Sequence, residues 1–168
     1  MKNTTNFLPV PIIVAVLALL YMILSANQNL LAWVGFITWG AYFLTSINTR
    51  GAIREGISFT LGIVFGAVIV MLATALAPTL GTFAVPVAVA VAAFVIVYLE
   101  MVPWFDMAPG YFLGAAAFFA AGAKPDSATF MAIFIPGIIG LALGMITAFL
   151  RRKVFAMQGK KDPMLKKK

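Results

Sequence analysis

Glu100 and Asp106, which bracket the apolar stretch Pro103-Trp104-Phe105, come nearest to residues that could do chemistry. Carboxylates partly desolvated at a pore mouth attract cations or hydrogen-bond an amide-like solute. In an aqueous loop the same pair would simply be hydrated. Arg50, Arg54 and Glu55 lie together on the longest internal connection. There Arg54 suits an anionic headgroup or substrate, and both arginines also suit plain positive charge on the cytoplasmic side. Histidine and cysteine are absent, no nucleophile sits beside a base, and no Gly-rich phosphate loop follows a strand. No catalytic residue, cofactor or metal site is therefore expected.

A second group of residues could line a path rather than react. Trp33, Phe36, Gly40 and Phe43 recur at helical spacing, with Tyr42 adjacent, and Tyr111, Gly114 and Phe118 do the same, flanked by Phe112 and Phe119. Each stripe alternates large rings with gaps. Rings can narrow or gate a passage, while small residues let backbones approach. These aromatic and glycine positions, with Glu100 and Asp106, form the expected solute-contacting set. The competing role for the rings is packing of the bundle against itself or lipid. Trp33, Trp39, Trp104 and Tyr98 also fit interfacial anchors, Trp104 best of them.

The elements that must hold these residues are membrane helices. The chain is 63% hydrophobic and only 10% charged, with a mean hydropathy of +1.05, whereas soluble domains are about 25% charged. Six apolar runs cover residues 7–25, 30–47, 59–77, 83–102, 107–123 and 128–150. The fold class expected is all-α: a polytopic bundle of six transmembrane helices in one membrane domain, 1–150, followed by a basic tail, 151–168. The first run also resembles a signal peptide, ending at Leu24-Ser25-Ala26, but it is long enough to span.

The tail carries the whole net charge of +7. A basic segment directly after an apolar helix anchors topology against anionic lipid headgroups, and no aromatic platform suggests nucleic acid. With the amino terminus cytoplasmic, every Lys and Arg except Lys124 falls on the inner side, so both termini are expected inside.

The second half also repeats the first. Phe36, Gly40, Ala41, Tyr42 and Phe43 align with Phe112, Ala116, Ala117, Phe118 and Phe119, and Gly62, Gly66 and Leu72 with Gly140, Gly144 and Leu150, after a slip of two residues. Three spans per repeat, about 7–77 and 83–150, would invert the second copy. Gly62-x-x-x-Gly66 and Gly140-x-x-x-Gly144 allow close helix contact, which suggests that the third and sixth helices cross each other or those of a second copy in a homo-oligomer. Asn27, Gln28 and Asn29 sit at the connection that corresponds to Glu100 and Asp106.

Leu31-Ala32-Trp33-Val34-Gly35-Phe36, Ala75-Leu76-Ala77-Pro78 and Pro109-Gly110-Tyr111-Phe112-Leu113-Gly114 resemble the YcdZ-type family of small bacterial inner-membrane proteins. The resemblance covers roughly residues 29 to 150 and implies a bacterial inner-membrane location, with no assigned activity. Glu100 and Asp106 are not part of its pattern. The function expected is a passive channel or facilitator for a small neutral or weakly polar solute, against a non-transporting structural or regulatory subunit.

Overall fold

The computed structural model describes residues 7–166; Lys2, Lys167 and Lys168, which enter the orientation argument, lie outside them. The described residues form α-helices joined by turns, with no strand among them. In chain order these are α1 (Pro9–Gln28), α2 (Ala32–Tyr42), α3 (Thr49–Leu80), α4 (Ala84–Leu99), α5 (Ala108–Ala120) and α6 (Ser127–Met157). Pro9–Gln28, the stretch Thr49–Leu99 and Ser127–Met157 are long and apolar enough to cross a bilayer, which marks this as a membrane protein.

Helix ends follow local chemistry. α1 stops at Asn29, which adopts φ +51° while the Leu30 amide donates to Ser25 O at 2.9 Å. Asn48 caps α3 by accepting from the Gly51 amide at 2.8 Å, and Asp126 caps α6 by accepting from the Thr129 amide at 2.7 Å. These caps lie 78 residues apart. The slip in the sequence repeat falls just before them, since Ile47 and Ala123, 76 apart, both have positive φ and Lys124-Pro125 is the insertion.

Two expectations need correction here. The runs at 30–47 and 107–123 were expected to span, yet α2 and α5 have only 11 and 13 residues. At about 1.5 Å per residue they fall well short of a hydrocarbon core of about 30 Å. Residues 49–58, expected as a connection, are the first turns of α3. The Asn48 cap starts the helix early, and charge on one face does not stop it.

α3 and α4 form an antiparallel hairpin through Gly81–Phe83, with Ile69 and Ala73 against Ala88 and Ala92. α3 and α6 cross antiparallel, where Phe59 lies over Gly137 and Gly56 meets Leu141. Each long helix then takes the short helix of the other half as its main neighbour: α5 lies along α3, and α2 along α6. Val34, Phe59, Ile63, Ala117, Phe118 and Ile133 close the centre. Such packing holds membrane helices together where lipid removes most of the hydrophobic drive.

The glycine motifs explain the two seams. A Cβ at Gly62 would collide with Tyr111 O and stand 2.9 Å from Gly114 Cα; one at Gly140 would collide with Gly35 O and Thr38 Oγ1. Gly66 receives the ring of Phe118, and Gly144 the ring of Tyr42, each within 2.8 Å of a hypothetical Cβ. The motif glycines therefore face the short helices; the third and sixth helices do cross, as expected, but at Phe59–Gly137 and Gly56–Leu141 and not through the motifs.

Candidate functional site

The aromatic stripes split between interior and surface. On α2 the buried positions are Val34, Gly35, Thr38, Trp39, Ala41 and Tyr42; on α5, 76 residues later, they are Gly110, Tyr111, Gly114, Ala115, Ala117 and Phe118, with Ala108 in addition. Trp33, Phe36, Phe112 and Phe119 point outward, Phe43 is half-buried, and Gly40 is open, with nothing within 4 Å of a hypothetical Cβ. Tyr42 and Phe118 thus plug separate seams, and the stripes do not converge on one cavity. Trp39, weighed as an interfacial anchor, is instead buried and donates from Nε1 to Thr147 Oγ1 at 3.0 Å.

The α2/α6 seam is bolted by hydrogen bonds. Besides Trp39, Thr38 Oγ1 donates to Gly137 O at 2.7 Å, and the hydroxyl of Tyr21 on α1 donates to Ala32 O at 3.0 Å. The α3/α5 seam contains a feature the sequence reading missed. Glu55, one and a half turns into α3, is 1% exposed, and its Oε1 has no hydrogen-bond partner among the described residues. It faces the first turn of α5: a Cβ on Gly110 would stand 3.1 and 3.2 Å from the two Glu55 carboxyl oxygens and 2.7 Å from Ser58 Cβ. The signal was present as spacing, because Ala52, Glu55, Phe59, Gly62 and Gly66 share one helical face.

Asp106 and the arginines close this end. Arg54 Nε donates to Asp106 Oδ1 at 2.8 Å and its Nη2 pairs with Oδ2, while the Arg50 guanidinium lies 5.1 Å from the Trp104 ring centre. Arg54 holds the Asp106 carboxyl below the usual carboxylate range. The α4–α5 connection is thereby clamped onto α3, with Trp104 at φ +77° and the Tyr111 hydroxyl donating to Phe105 O at 3.1 Å. Glu100 is exposed, as are Asn27, Gln28 and Asn29.

The last turns of α6, which continue to Met157 through the residues expected to begin the tail, share that end. Arg152 Nη2 donates to Ile47 O at 2.6 Å, and Arg151 binds Asp162 through two hydrogen bonds of 2.9 and 3.0 Å. Burial opposes ionisation of Asp162, but Arg151 and the Met164 amide hold its carboxyl below the usual range. Between α3 and α6 an open groove of about 660 Å³, walled by Ile53, Ile57, Phe105, Ile138, Leu141 and Met145, is apolar and suits an acyl chain better than a polar solute.

Residues 11–151 match the family described as "Protein of unknown function (DUF1097)". Neither curated proteins nor solved structures give a match. The chain belongs to the DUF1097 family.

Proposed function

We propose that this DUF1097 member is a facilitator that passes a small neutral or weakly polar solute across a bacterial inner membrane. Its six helices all insert, α2 and α5 crossing together with the turns that follow them (43–48 and 121–126), as two inverted three-helix repeats with both termini cytoplasmic. The observation that carries this reading is the pair of half-length helices, each seated by glycines against the long helix of the other half. Helices that stop inside the layer and meet across a repeat interface are a recurring way to build a solute path. Inversion is supported by the antiparallel α3 and α6, and the cytoplasmic side by Arg50, Arg54, Arg151, Arg152 and Lys153 gathering at one end. Anionic headgroups would bind there.

In this packed form each seam is shut, by Phe118 between α3 and α5 and by Tyr42 between α2 and α6. Flux into liposomes carrying the purified protein tests the reading. Wild type should exceed protein-free vesicles for at least one small solute, and Phe118→Ala should raise that flux. Gly40→Leu, placed on an open face, should leave it unchanged.

The second reading is a non-transporting subunit, favoured by the close-packed seams and by the outward rings of Trp33, Phe36, Phe112 and Phe119, which a partner or a second copy would cover. Background flux across a solute panel, from folded wild type and Phe118→Ala alike, would put this reading in first place.

A further inference from the structure

We propose that Glu55 is a proton-binding site, loaded from the aqueous layer at the arginine-rich end past the clamp made by Arg54–Asp106 and Arg50–Trp104. An ionised carboxylate sealed from water needs a cation or several donors. Among the described residues the surrounding elements offer no free cation, and the uncommitted hydroxyl of Ser58, one turn along α3, is a single neutral donor. On α3, Arg54 is taken by Asp106 and Arg50 lies over Trp104. On the α4–α5 connection, Asp106 is itself acidic, and Glu100 is exposed. On α5, the Tyr111 hydroxyl is committed to Phe105 O. The α6 residues at this level, Ile138, Leu141 and Met145, are apolar. Proton uptake solves the problem with no further reactant: hydrated protons supply H⁺, the carboxylate becomes a carboxylic acid, and no other bond changes.

The surroundings also keep the ionised form within reach. Gly110 leaves room for the carboxyl beside the first turn of α5, where the positive end of the helix dipole favours negative charge. A larger residue at 110 would occupy that space. Packing alone does not call for an acid here, since the matching positions of the other seam, Ile133 and Val34, are apolar and fully buried. The clamp that covers the site includes Trp104 in the left-handed region, an uncommon conformation for a bulky side chain that marks a segment held in place by its neighbours.

The inference goes beyond the transport reading, because its test needs no flux. Infrared spectra of the full-length protein in lipid nanodiscs, titrated across the pH range in which it stays folded, should show a protonated-carboxyl stretch. That band should disappear at high pH and be missing from Glu55→Gln. In Asp106→Asn, which loosens the clamp, the band should exchange with deuterium several-fold faster than in wild type. Glu55→Asp, eluting as wild type does, should retain a shifted band and so exclude misfolding as the cause of a loss. The site is overturned if wild type shows no such band at any of these pH values, or if Glu55→Gln keeps it. An exchange rate unchanged by Asp106→Asn overturns the gate.

Discussion

The α3/α5 and α2/α6 seams use one frame for two purposes. In both, a glycine of the long helix presses on the backbone of the short one, and one turn later an aromatic ring rests on a second glycine. The α2/α6 seam adds Thr38 to Gly137 O and Trp39 to Thr147, and fills its centre with Val34 and Ile133. The α3/α5 seam has Gly114 where the other has Thr38, and Glu55 beside Gly110 where the other is apolar. The glycines and rings are therefore what packing requires, and the carboxylate is what one half adds to it.

The largest effect should come from the shared part. Gly62→Leu and Gly140→Leu each drive a side chain into backbone, at a cost of about 3 kcal/mol or more. Thermal unfolding in detergent should show both as severely destabilised or unfolded. Tolerance of one and not the other would break the equivalence of the seams.

Next comes the unshared carboxylate. Ile133→Glu places an unpartnered acid in the bolted seam and should cost roughly 2–3 kcal/mol. Glu55→Leu removes one and should be neutral or stabilising, since replacing buried charge by apolar volume often is. A strongly destabilised Glu55→Leu would mean that the acid is structural.

A smaller change sharpens the contrast from the other side. Thr38→Val deletes a buried hydrogen bond found only in the α2/α6 seam and should lower stability by about 1 kcal/mol.

The smallest belongs to the clamp. Arg54→Ala should cost about 0.5 kcal/mol, because the pair is partly solvated. Since the Asp106 carboxyl is depressed in the folded protein, this contribution is present above the ordinary carboxylate pKa and lost as pH falls through the folded value. Wild type and Arg54→Ala should therefore converge in acid; a gap that persists there would assign the effect to packing.

Much of this frame was legible in the residues. Gly62, Gly66, Gly140 and Gly144 announced close contact, and the offset of 76 to 78 announced two similar halves. Their partners were not legible, because a small-residue motif says how near a helix can come and not which helix does. Hydropathy also joined α2 and α5 to their apolar flanks, since Phe43, Leu44 and Ile47, outside α2, are as apolar as the helix itself. Glu55 was hidden by its neighbours: with Arg50 and Arg54 nearby, local charge suggested a hydrated connection, while the three-and-four spacing from Ala52 to Gly66 already placed it on the buried face. Trp39 was misjudged for a similar reason, its ring type suggesting the interface where Thr147, over a hundred residues away, supplies the acceptor.

The inversion of the halves is the claim on which the rest depends, and single-cysteine accessibility in intact cells tests it most directly. Arg50 and Ala128 are exposed, occupy equivalent places near the starts of α3 and α6, and should lie on opposite sides of the membrane. A membrane-impermeant thiol reagent added outside should label Ala128→Cys at once and Arg50→Cys only after permeabilisation. Labelling of both from the same side would contradict the inverted arrangement.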